Sequence, residues 1–237
     1  MRLLFYLVLF PALFPVFLIL FYIYGKDKHE REPLGAVLLT VALGALFSFV
    51  DIPLERVMQQ IIFSRYGTYS LEYELAENFL GVALIEELTK WAVLMVYVWK
   101  LRDFDWRYDG VVYATCASLG FAGMENVMYV LSYGTGVSIG RALFAIPGHA
   151  AFGVFMGYYL SRAKHWELRH IGFLKYVALL FSVAVPTAIH GTYDFLLSPA
   201  AEAQQFSSYF LLFVLVLDLF AWLTIRHEFK TDRPLGY

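Results

Sequence analysis

Residues 81–96 read GVALIEELTKWAVLMV, an apolar run with Glu86, Glu87 and Lys90 at its centre. Outside those three positions the segment has the composition of a helix bathed in lipid. Three ionisable groups in such a segment cost several kcal/mol unless they pair, so they mark a functional site by default. The rest of the chain supports the membrane reading. Of 237 residues, 60% are hydrophobic and only 16% are charged, and the mean hydropathy is +0.61. Soluble domains are closer to about 45–50% apolar and about 25% charged.

Apolar stretches of about 20 residues match the hydrocarbon core. Seven are expected, at about 3–24, 33–53, 76–99, 109–132, 140–161, 173–196 and 206–226. The first has an apolar run too long for a signal peptide and is read as a retained span, loosened by Pro11 and Pro15. The fold class is therefore all-α, a single polytopic membrane domain over 1–237 with its chemistry in about 76–196. Nothing in the sequence forms a basic nucleic-acid face. The single cysteine, Cys116, lies in an apolar run and reads as an inert thiol.

Basic residues set orientation. Thirteen of the 18 fall in four segments: Lys26 to Arg31, Lys100 to Arg107, Arg162 to Lys175, and Arg226 to Arg233. Seven spans put all four on one side, so the N-terminus is expected outside and the C-terminus in the cytoplasm. Arg2, Arg65, Arg141 and the acidic stretch 71–77 then fall outside.

Four of these spans carry carboxylates or imidazoles: Glu86 and Glu87; Glu125 with Asn126; His149; and His190 with Asp194. At about 1.5 Å per residue, Glu86 and His149 lie roughly 12 Å below the outer surface. Glu125 and His190 lie roughly 5 Å below it in a core about 30 Å thick. All belong to the outer half, reachable by water from outside. Lys90 stands at i+4 from Glu86 and i+3 from Glu87, so it can neutralise either. Asp194 stands at i+4 from His190 and can orient it. Small residues around them, including Gly120, Gly123, Gly148 and the GxxxG of Gly153 and Gly157, permit close helix contact. Glu77 and Asp218 read as bland polar positions, and Tyr97, Trp99, Trp106 and Tyr108 as an aromatic belt.

Peptide hydrolysis needs a base for water, a donor for the oxyanion and an acid for the leaving amine. Glu86 or Glu87 suits the first role. His149 can share water activation, and His190 with Asp194 suits the others. A zinc variant is also chemically sound, with Glu125, His149 and His190 as a His₂Glu set that leaves one position open. No HExxH decides the matter. A transporter needs polar groups leading to both faces, whereas the cytoplasmic halves of spans three to six are apolar apart from small hydroxyls. A non-catalytic scaffold needs no Glu-Glu pair.

At these positions the chain resembles the PrsW family of intramembrane proteases. The matches are Glu86-Glu87-x-x-Lys90, Phe121-x-x-x-Glu125-Asn126, His149, and His190-x-x-x-Asp194, in family order over about 80–195. The related CAAX prenyl proteases show EExxxR and FxxxH. Here the basic residue comes one position earlier and a glutamate replaces the histidine, which argues against a prenyl-protein substrate. The resemblance implies a bacterial cell-membrane enzyme that makes the site-1 cut in a single-span anti-sigma factor on its extracytoplasmic side, releasing a stress response after a second intramembrane cut. Analogy with the CAAX-type enzymes favours metal-free chemistry. The Aph subunit of γ-secretase, distantly similar, illustrates the scaffold alternative.

Overall fold

A computed structural model describes residues 2–26, 30–68, 70–134 and 136–236, with side chains at Phe10 and from Ala12 onward. Lys28, counted above among the loop cations, lies outside the described residues. The chain is helical throughout, and no strand forms among the described residues. In order come α1 (Arg2–Lys26), α2 (Leu34–Tyr66), short α3 (Leu71–Ala76), α4 (Leu84–Val96) and α5 (Arg107–Tyr133). They are followed by short α6 (Gly136–Gly140), α7 (Ile146–Leu168), α8 (Gly172–Leu196), short α9 (Pro199–Ala203) and α10 (Phe210–Lys230). Two π-helical turns, Glu77–Ala83 and Arg141–Ala145, run without a break into α4 and α7.

Among the described residues, four helical stretches are long and apolar enough to cross a membrane: Leu34–Tyr66, Gly136–Leu168, Gly172–Leu196 and Phe206–Lys230. Of the other three expected spans, α1 is apolar over Ala12–Lys26, and the remaining two are helical but shorter or less apolar. The third holds Glu86, Glu87 and Lys90 in α4. The fourth, α5, is rich in Gly, Ala, Ser and Thr because it is the centre of the bundle. Every residue from Tyr108 to Gly123 is buried, with α7, α2 and α1 packed around it. A helix enclosed by protein has no need of a lipid-compatible surface.

Close approach to α5 depends on missing side chains. A Cβ on Gly157 of α7 would lie 2.2 Å from the carbonyl oxygen of Gly110, and one on Gly120 would lie 2.0 Å from that of Val41 on α2. Such separations are well inside van der Waals contact, so small residues fix the distance between these helices. Outward positions of α2 such as Leu38, Leu46, Leu54 and Ile61 remain exposed, as a lipid-facing surface requires.

Two features differ from the sequence reading. The second span does not end near Pro53: α2 continues through that proline to Tyr66. Loss of one backbone hydrogen bond is tolerated where neighbouring helices support the segment. Likewise α1 passes both of its prolines without interruption. At the end of the bundle bearing Lys100 and Arg107, the C-terminal segment straps across the loops. Leu235 donates its amide to the Asp105 carbonyl at 2.6 Å, and the Leu235 carbonyl meets His165 Nδ1 at 2.7 Å.

Candidate active site

The ionisable groups on α4, α5, α7 and α8 converge. Lys90 stands at their centre, fully buried. An ammonium has three N–H donors, and each has a partner: Glu86 Oε2 at 3.0 Å, Glu87 Oε1 at 2.7 Å and His149 Nδ1 at 2.9 Å. The Phe121 ring lies 4.5 Å from the same nitrogen. The i, i+3 and i, i+4 spacing on α4 places both carboxylates on one lysine, and α7 supplies the third acceptor.

His190 is held between carboxylates. Its Nδ1 lies 2.9 Å from Glu87 Oε1 and its Nε2 lies 3.2 Å from Asp194 Oδ2. An imidazolium can donate to both. The ring also stacks on Phe152, with centroids 4.6 Å apart. His149 accepts from Lys90 at Nδ1, and its Nε2 lies 3.1 Å from Glu125 Oε2. Because lysine only donates, Nδ1 of His149 must be the acceptor and Nε2 the N–H. Glu125 Oε2 also meets Arg141 Nη2 at 2.8 Å.

A cavity of about 990 Å³ runs over this cluster. Glu86, Glu125, His149, His190 and Asp194 line it, whereas Glu87 and Lys90 lie behind its wall. Its rim includes Glu74, Val137 and Ser198, from the connections that follow α2, α5 and α8. The adjacent glutamates therefore have different surroundings. Glu86 faces the open space, and Glu87 is wholly enclosed between Lys90 and His190.

All the residues singled out from the sequence belong to this assembly, with Asn126 at its edge. Asn126 donates to the Ala12 carbonyl on α1 at 2.8 Å and accepts from Arg141 Nε at 3.1 Å. Three groups were missed. Asp51 and Glu55 on α2 face the cavity beside Glu86, and the Thr89 hydroxyl donates to Asp51 at 3.3 Å. Their i, i+4 spacing was the available signal; ending the span at 53 left Glu55 outside it, and Asp51, inside it, was passed over. Arg141, read as a loop charge, is also part of the wall.

Spacing and engagement disagree on a metal. Ligand atoms of Glu86, His149 and His190 lie within 4.8 Å of one another. The sequence-derived set had Glu125 in place of Glu86. Glu86, Asp51 and Glu55 form a second such group. Yet each histidine nitrogen already faces a partner from the chain, and the Lys90 ammonium sits between Glu86 Oε2 and His149 Nδ1. As the side chains stand, the position between Glu86 and His149 already holds a cation, and a divalent ion does not fit beside it there.

Comparison with known proteins follows the same line. Residues 32–222 match the model of the PrsW family, described as intramembrane metalloproteases. The chain belongs to the PrsW family of intramembrane proteases. It is 36% identical to Protease PrsW of Geobacillus kaustophilus over 92% of this chain and 88% of that protein. Against Protease PrsW of Oceanobacillus iheyensis the identity is 34%, over 90% and 93% of the two chains. Against that of Bacillus subtilis it is 33%, over 84% and 87%. No solved structure matches. The protein is thus a membrane peptidase, and the buried Glu/His cluster is its candidate centre.

Proposed function

We propose that this PrsW-family protease makes the site-1 cut in a single-span membrane protein, an anti-sigma factor, on its extracytoplasmic side. The observation that carries this reading is the cavity: Glu86, His149 and His190 meet on its wall, and its rim is built from connections at one end of the bundle only. The basic loops between the helices belong to the other end, which supports a seven-span arrangement with the N-terminus outside and the cavity in the outer half. A cavity open toward one end of the bundle suits an extended segment leaving the bilayer.

The residues divide the chemistry. Glu86 takes the proton of the attacking water, its carboxylate restrained by Lys90. His190, held at Nδ1 by Glu87, exchanges the Asp194 contact of its Nε2–H for the developing oxyanion and then protonates the leaving amine. Glu87 orients and does not face substrate. Lys90 supplies the positive charge that keeps both carboxylates compatible with burial.

Location is tested by labelling. Glu72→Cys, in the exposed acidic stretch, is expected to react with an impermeant thiol reagent applied outside, and Arg169→Cys is expected to stay unlabelled. Buried Cys116 gives no background. The opposite pattern would place the cavity in the cytoplasmic half and exclude an extracytoplasmic cut.

Metal content tests the chemistry. Chelator is expected to leave cleavage unchanged, since Lys90 already provides the cation at this position. Zinc bound in equal amount to active enzyme, and lost together with activity in Glu86→Gln or His149→Ala, would overturn the metal-free assignment. If zinc binds, Glu125→Gln should retain it, because Glu125 stands outside the compact donor group.

A further inference from the structure

The geometry points to Arg141 as a positioning residue for the hydrolytic site, one that fixes the ring of His149 through Glu125. This rests on the cluster being the catalytic centre. Three side chains of α5 receive the guanidinium. Glu125 Oε2 pairs with Nη2 at 2.8 Å, Asn126 Oδ1 accepts from Nε at 3.1 Å, and the guanidinium carbon lies 3.9 Å from the centre of the Tyr129 ring. A planar fork with one hydrogen bond, one ion pair and one ring face against it has little freedom left. Asn126 is anchored in turn on the Ala12 carbonyl. The adjacency of Glu125 and Asn126 thereby acquires a reason: both reach one arginine.

Backbone geometry explains how Arg141 and His149 come to share Glu125. They are eight residues apart on one continuous helical run. At about 100° per residue an uninterrupted α-helix would set them about 80° apart. The turn at Arg141–Ala145 is π-helical, taking in one additional residue. Their phase becomes that of about seven α-helical steps, an offset of about 20°, and both face α5. Pro147 is the local cause, since its ring crowds the carbonyl of Leu143 and it has no N–H to donate. Glu125 Oε2 then lies between the two, 2.8 Å from Arg141 and 3.1 Å from His149 Nε2. With Glu125 held by Arg141, His149 Nε2 faces one fixed carboxylate oxygen, and its Nδ1 is aimed at Lys90 and the Glu86 side of the cavity.

The test uses full-length enzyme and a single-span reporter, cleaved by the wild type, with a fluorophore–quencher pair across its cut site. Arg141→Gln is expected to lower kcat by about 10–100-fold, the usual effect of losing a group that orients a site residue, with KM little changed. Arg141→Lys, which keeps charge but not the fork, should fall between. Glu125→Gln combined with Arg141→Gln should be no slower than Glu125→Gln alone, because the two act as a unit. Side-chain ¹⁵N spectra should show the Nε2–H tautomer of His149 in every variant, since Lys90 sets it, with the ring signals broadened in the arginine variants. Wild-type kcat, a change confined to KM, or an additive double variant would overturn the proposal. Should Arg141→Gln fail to fold, Arg141→Lys carries the same readings. If instead His149→Ala is fully active, the cluster itself has been misassigned, a separate failure.

Discussion

Glu86→Gln is expected to reduce kcat by about 10²–10⁴-fold, the range for removing a general base, with the protein still folded. The amide matches the carboxylate in shape and keeps an oxygen for the Lys90 N–H. It cannot take a proton from water. Lys90 retains Glu87 as its counter-charge at 2.7 Å, so the buried ammonium stays compensated. Glu87→Gln should behave differently, because Glu87 is shared by Lys90 and His190 and is wholly enclosed. Its loss should lower stability as well as rate. Kinetics of the two variants on a cleavable single-span reporter, with unfolding followed in the same micelles, separate the two roles. A Glu86→Gln enzyme with near wild-type kcat would remove Glu86 as the base.

Lys90→Met is expected to produce the largest stability loss, about 3–5 kcal/mol, as found when one partner of a buried charge cluster is removed. Two carboxylates would face each other across the vacated position, with His149 Nδ1 left without its donor. Arginine should not rescue, since a planar fork cannot reproduce three diverging N–H directions. The triple variant Glu86→Gln, Glu87→Gln, Lys90→Met should recover much of the lost stability while remaining inactive, because it removes the uncompensated charges together. Reversible unfolding in mixed micelles measures all of these. A Lys90→Met protein as stable as wild type would mean that the lysine does not hold the cluster together.

Much of this was legible because lipid is an unforgiving solvent. Polar groups in apolar runs must meet one another, so Glu86, Lys90, Glu125, His149 and His190 declared a shared site before any geometry was available. Other features were not legible, each for a physical reason. Adjacent residues on a helix point about 100° apart, and only the packing of α5, α7 and α8 decides that Glu86 faces the cavity and Glu87 does not. The second span was expected to end at about 53, yet α2 runs through Pro53 to Tyr66, so Glu55 was placed outside it, and Asp51, inside it, was passed over. Arg141 sat at an estimated span end, where a loop cation and a site cation look alike. The π turn that aims it has no sequence signature beyond Pro147.

The enclosed central helix has a consequence for biogenesis. A segment such as α5, with Asp109, Glu125 and Asn126 among small residues, gains little from partitioning into hydrocarbon by itself. Its favourable surroundings are α1 and α2, made before it, and α7, made after it. Stable insertion of α5 therefore depends on neighbours already in the bilayer and on one still to be synthesised. The helix that carries Glu125 reaches its final setting only when the chain has been translated through the segment bearing His149.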